Sequence, residues 1–499
     1  MKIFFCAYLM LGTACILANA SEMPSAVTPA TNPALQWQAM ARADLVATHD
    51  LILSTHPGSI DEFNPAFRDW TTTGYQQALA LIPKVFSYDT AMAAVRYYVS
   101  GFLDGHFIYS DNARRRDYPI TINGWTLREE KGRYIVAAVA EQWKTPLPQK
   151  GARLVECDGQ SPDALIRERV APYIDRRDFP AVRASLANGL MALHLAGEEL
   201  QHCRFEDASG SITDIGVSYA PVNSGQYFRM IMERKEVPQR RNGYSVNDGI
   251  LWIRAANFNL HADEAGPFEA MLTQLSKTSG VRQIIFDSRG NGGGDSGVGD
   301  RLFEAATGGL AFDKDGLSGM PRAYAQWRVS DTAIATAEKT LAHQVKLYGD
   351  NTAQAQDTAQ RLAQLQSARA AGRPWVEQEG SYRVRRADAE RWHGHLRRFQ
   401  GGIALITDAS CASACLDFAD LVLQVPGAMH LGQATSGDSV YIDVGRVELP
   451  SKNQLVLPLK VWRNRVRGNN ETLIPDMTLQ VDMDDDAAVQ DAVRTALKL

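Results

Sequence analysis

Twice in this chain an apolar run too short for a helix passes through a turn of small residues into a helix start. One is Gln283-Ile-Ile-Phe-Asp287 entering Ser288-Arg-Gly-Asn-Gly-Gly-Gly294; the other is Gly402-Ile-Ala-Leu-Ile-Thr407 entering Asp408-Ala-Ser-Cys-Ala-Ser413-Ala-Cys415. Continuous apolarity over five or six residues marks a strand buried on both faces. A strand, a tight turn and a helix repeated along the chain mark parallel βαβ units. Gly249-Ile-Leu-Trp-Ile-Arg254 followed by a helix over 264–276 supplies a third. The fold class is therefore α/β, with core segments 247–330 and 400–499.

The second turn carries chemistry. A serine lifted above a sheet edge beside the free N–H groups of a helix start is placed as a nucleophile would be. Ser413 is that candidate, and the competing reading is that Ser410 and Ser413 only cap the helix. A serine hydroxyl also needs a base within reach and N–H donors aimed at the developing oxyanion. Gly293, in a turn with no side chains to cover its amides, and Ala414, just after the serine, are the candidate donors. The glycine run does not fit the G-x-G-x-x-G pattern, and no Gly-Lys-Ser/Thr follows it, which disfavours nucleotide phosphates as its ligand.

Elsewhere the chain is more mixed. Residues 1–20, with Lys2, an apolar stretch and Ala18-Asn19-Ala20, read as a secretory signal peptide, with acylation of Cys15 as a weaker alternative. A disordered Ala/Pro/Ser/Thr lead-in follows, to about Pro33. Residues 34–110 are mainly helical, with Asp89 as a cap and Gly105 as the stop of a helix that delivers His106. A small β-rich module spans 115–171, and Gly225–Glu233 has a strand-like composition. Residues 331–371, rich in Ala, Gln, Lys and Leu and broken at Tyr348-Gly-Asp-Asn351, read as an inserted helical hairpin.

A net charge of -5 gives no reason to expect nucleic acid as a partner. Nothing after the signal is apolar for long enough to span a membrane. Of six cysteines, Cys6 and Cys15 leave with the signal. The other four allow three pairings, of which Cys157–Cys203 with Cys411–Cys415 is favoured. Zinc is the rival use, but no histidine stands at ligand spacing, so neither a metal nor an organic cofactor is expected.

Four segments together resemble the C-terminal-processing (tail-specific) and tricorn-type serine peptidases: Leu103-Asp-Gly-His-Phe107, Asp287–Gly294, Cys411-Ala-Ser-Ala-Cys415, and Gly432-Gln-Ala-Thr-Ser-Gly437. The resemblance implies a crotonase-like βαβ core and a module ending near Arg153–Gln160 similar to a PDZ-type domain. It also implies a peptide or protein substrate and a periplasmic or secreted location, and it leaves room for a homo-oligomer. The tail-specific branch places a catalytic lysine directly after the Gly-x-x-Thr-x-Gly turn, where this chain has Asp438. The tricorn-like branch implies instead that His106 is the base and Glu471 the carboxylate that orients it. In that branch a serine precedes the histidine; here it is Gly105. A noncatalytic peptide- or lipophile-binding protein on the same scaffold is the alternative, as retinoid-binding relatives illustrate.

Overall fold

The computed structural model describes residues 33–111, 118–130, 132–192, 199–232, 240–310, 322–382, 384–388 and 398–499. The signal peptide and nearly all of the lead-in lie outside the described residues, as does most of the basic stretch 383–398.

The apolar strands assemble into one six-stranded sheet, in the order 477–478, 429–432, 402–407, 283–287, 250–254, 243–247. All neighbours are parallel except 243–247 against 250–254. Helices Ala262–Leu275, Ser296–Thr307 and Ala414–Leu423 cover one face, burying Leu251, Ile253 and Phe286 together with Leu405, Leu302 and Phe418. Helix Asp486–Leu497 covers the other, setting Val489 and Val493 against Ile285 and Ile406. Cover on both sides is why these strands read as unbroken apolar runs.

A second, antiparallel sheet carries the N-terminal region to the core. Strand Ile108–Ser110, two residues past His106, pairs with the long strand Gln454–Arg463 in the register Ile108↔Val456. Strands 441–448 and 322–328 flank that long strand, and 375–382 pairs with 322–328. Helices Pro33–Thr55, Pro65–Leu81 and Tyr88–Ser100 pack on this sheet through Phe67, Tyr98, Phe102, Tyr441 and Leu457. The hairpin Asp331–Tyr348 and Ala353–Ala370 lies beside it, with Ala333 and Leu365 against Leu459.

Local details differ from the sequence reading in three places. Residues Ser224–Met232 form a helix, not a strand. Asn223 and Gln226 cap its start by exchanging side-chain-to-N–H bonds, and Met230 buries against Ile120 and Ile122. Short aromatic and apolar runs do not separate strand from helix, so the cap decides. The helix before His106 is capped by Ser87, through a reciprocal pair with Thr90, and ends at Gly101 instead of Gly105. The β-rich module is a five-stranded antiparallel sheet that continues through 202–206 and 212–216, well beyond residue 171. Its strands 153–157 and 202–206 are joined by the Cys157–Cys203 disulfide.

Candidate active site

Ser413 sits between strand Gly402–Thr407 and helix Ala414–Leu423 with φ 53° and ψ -123°. A left-handed φ is uncommon for a non-glycine residue and persists only where its surroundings enforce it. Here the Cys411–Cys415 disulfide closes the turn, Ser410 N–H donates to Asp408 Oδ1, and Cys411 N–H donates to Asp408 O. The Ser413 side chain makes no capping bond, so its hydroxyl is not used in closing the helix.

His106 meets it. The distance from His106 Nε2 to Ser413 Oγ is 3.2 Å across 307 residues of sequence. The imidazole comes from the short loop between Gly101 and Ile108, fixed behind by the helical bundle and ahead by the pairing of 108–110 with 454–456. Gly105 leaves room for the Arg177 guanidinium, whose Nη1 would stand 2.5 Å from a Cβ at that position. Arg177 is gripped by Asp175 and donates to Gly437 O at 2.8 Å, which ties the histidine loop to the Gly432–Gly437 turn.

The glycine turn is held from behind. Arg289, almost wholly buried, donates twice to Asp287, at 2.8 and 2.6 Å, and also to Met483 O and Asp486. Gly293, at φ 102°, lies so close to the serine turn that a Cβ on it would be 2.7 Å from Ala412 O and 2.8 Å from Ser413 Cβ. Its N–H, expected to be open for an oxyanion, donates to Asn291 Oδ1 at 2.9 Å, while Asn291 Nδ2 donates to Ala255 O. Asn291 thus gives the motif's asparagine a job the sequence does not disclose. The Ala414 N–H has no acceptor among the described residues.

Asp438, where a lysine would stand in the tail-specific branch, is buried and accepts from Arg467 Nη1 at 2.6 Å and Arg465 Nη1 at 3.0 Å. Arg467 also bonds Asp420 at 2.7 Å and Asp417 at 3.0 Å, both on the helix that follows Ser413. Burial alone would raise the Asp438 pKa, but the two guanidiniums, with a smaller contribution from His106, hold it below the ordinary range. Asp420, which shares Arg467 with two other carboxylates, is pushed up to about 6, chiefly by burial. Neither arginine stands out in the sequence, where the two look like a basic loop.

Glu471 is exposed, and its Oε2 accepts the Gly468 N–H. No hydrogen bond or ion pair joins it to His106 among the described residues. A cleft of roughly 890 Å³ lies between the helical hairpin, the antiparallel sheet and the core. It reaches Gly294 and Asp417 but is lined by neither Ser413 nor His106. No group of metal ligands occurs among the described residues, and no helix there is long and apolar enough to cross a membrane.

No protein-family model matches the sequence, and no curated protein does. Solved structures do match. Mature CPAF is 11% identical, with 92% of this chain and 97% of that chain covered, at a TM-score of 0.58. Mature CPAF complexed with lactacystin is 12% identical over 93% and 98%, also at 0.58. The photosystem II D1 C-terminal processing protease is 13% identical over 91% and 96%, at 0.38, too distant a likeness to define a fold. The chain therefore has the mixed α/β fold of CPAF over nearly its whole length.

Proposed function

We propose that this chain is a secreted or periplasmic serine endopeptidase that hydrolyses peptide bonds through an acyl-enzyme. The observation that carries the reading is the 3.2 Å approach of His106 Nε2 to a serine held at a left-handed φ on a helix start. The two pieces come from distant parts of the chain and the hydroxyl is not spent on capping, which is the arrangement a nucleophile and its base require.

In this reading Nε2 removes the Ser413 proton as Oγ bonds to the scissile carbonyl carbon. The carbonyl π electrons move onto oxygen, which accepts a hydrogen bond donated by the Ala414 N–H, and one from the Gly293 N–H once that N–H leaves Asn291 Oδ1. Collapse of this intermediate breaks the C–N bond, and the Nε2 proton passes to the leaving amine. Water then repeats the sequence on the ester. The CPAF-like fold and the two disulfides, which suit an oxidising compartment, support the reading. A crotonase-like description of the parallel core and a PDZ-like one of the 125–216 sheet belong to the same proposal.

The occupied Gly293 N–H favours a second reading, a noncatalytic peptide- or lipophile-binding protein. A fluorophosphonate separates them. It should label the wild-type protein at Ser413 and leave Ser413→Ala unmodified; absence of label on folded wild-type protein sinks the peptidase.

A further inference from the structure

The base beside Ser413 has one nitrogen engaged and one not. His106 Nδ1 is buried and has no hydrogen-bond partner among the described residues. When Nε2 accepts the serine proton, Nδ1 must carry the other, and the ring becomes a cation. A cation at a mostly buried site needs an anion close by. The carboxylate that stands beside it belongs to Asp104, two residues earlier, whose Oδ1 is 4.0 Å from Nδ1.

Asp104 is built to stay ionised there. Its side chain is 1% exposed. Oδ1 accepts the His106 backbone N–H at 2.9 Å and the Ser439 hydroxyl at 2.7 Å. Oδ2 faces His56 Nε2 at 3.4 Å, and neither of those two atoms has another partner among the described residues. The His56 tautomer is fixed by Gly58, whose N–H donates to His56 Nδ1 at 3.0 Å, so that ring is neutral and presents Nε2–H to the carboxylate. Burial, the main cause, keeps His56 from protonating; it is stacked on Phe67 and edged by Tyr441. Burial would also lift the Asp104 pKa, but the donors around it win, and it is held below the ordinary carboxylate range.

We infer that Asp104, backed by His56 and Ser439, is the positioning carboxylate of His106, taking the part that the family resemblance implied for Glu471. The inference rests on the peptidase reading for its kinetic consequences, but not for its electrostatic ones. Asp104 fixes the ring's loop through the His106 N–H and balances the imidazolium through space. The other charged groups nearby are already engaged: Asp438 by Arg465 and Arg467, and Arg177 by Asp175 and Gly437 O. Glu471 faces the Gly468 N–H.

The test follows the acid limb of kcat/KM against pH on a fluorogenic peptide, alongside an NMR titration of the His106 ring protons. Asp104→Asn should lower kcat/KM at neutral pH by about tenfold or more. It should also move the acid limb and the ring titration down by about one pH unit, because an opposite charge 4 to 6 Å away is removed. Ser439→Ala, which frees Oδ1 from a donor, should move both slightly upward. A purely structural role would lower activity equally at all pH values and shift neither. Unmoved titrations in both variants overturn the proposal, as does a larger downward shift in Glu471→Gln. If Asp104→Asn does not fold, the Ser439→Ala titration decides alone, and no shift there is fatal. A shifted ring titration in a protein that fluorophosphonate cannot label would sink the peptidase and leave the Asp104–His106 coupling standing.

Discussion

Two buried charged clusters flank Ser413, and they are finished to different degrees. On the side of the helix that follows it, Arg467 and Arg465 face Asp417, Asp420 and Asp438, with every guanidinium arm in contact with a carboxylate or a backbone carbonyl. On the other side, His56, Asp104 and His106 line up, and three of their polar atoms lack a regular hydrogen bond. The first cluster ties three segments together, with its arginines saturated by carboxylates and carbonyls. The second holds an imidazole with one nitrogen on a hydroxyl and the other unmatched until it gains a proton. Saturated ion clusters of this kind mark architecture, and incompletely satisfied ones mark chemistry.

The contrast breaks most decisively at the histidine side. Ser413→Ala or His106→Ala should lower kcat by on the order of 10⁶-fold, since members of such a unit fail together. Retained turnover in His106→Ala, measured on a peptide substrate, would make that cluster architectural too. On the arginine side the readout is stability. Arg467→Met removes the guanidinium bonded to buried Asp420 and leaves Asp438 with Arg465 alone, and should cost about 3–5 kcal/mol by urea unfolding, because breaking a buried pair leaves uncompensated charge. A loss under about 1 kcal/mol would show that solvent reaches those acids.

Gly293 lies against the serine turn that the two clusters flank. Gly293→Ala drives a Cβ into Ala412 O and Ser413 Cβ from a φ that only glycine takes easily, so kcat should fall by about 10²-fold or more while KM changes little. An unchanged kcat would mean that the serine turn can retreat from Gly293 without harm. The smallest effect concerns pH. With Asp420 raised from 3.8 to about 6, the native state holds that proton more tightly than the unfolded chain. Its contribution to stability is therefore greatest below pH 3.8 and declines as pH rises toward about 6. Asp420→Asn removes this decline, so the Tm difference between variant and wild type should become more favourable to the variant by a few degrees across that window. A difference independent of pH would place the Asp420 titration elsewhere.

The parallel core was legible because its strands are buried on both faces and leave unbroken apolar runs, as in Gln283–Asp287 and Gly402–Thr407. Ser413 was legible for the same reason: what surrounds it is local in sequence. The helix at 224–232 was not, since its start depends on a reciprocal bond between Asn223 and Gln226 that competes with strand-forming residues nearby. His106 could be proposed from a motif, but nothing in the 307 residues of separation says that they bring it to the serine.

What the sequence determined by itself, then, is whatever hydrophobic period and backbone sterics encode over a few residues: buried strands, tight glycine turns, a serine before a helix, and the hairpin at 331–370. Only the tertiary structure decided which charges meet. Asp438 proved to belong to an arginine pair, Gly293's N–H to Asn291, and Glu471's carboxylate to the Gly468 N–H, while Asp104 came to face His106 with His56 behind it. Electrostatic partnership depends on a few ångströms of distance and on exclusion of water. Both are fixed by strand pairings such as Ile108 with Val456, which join residues far apart in the chain.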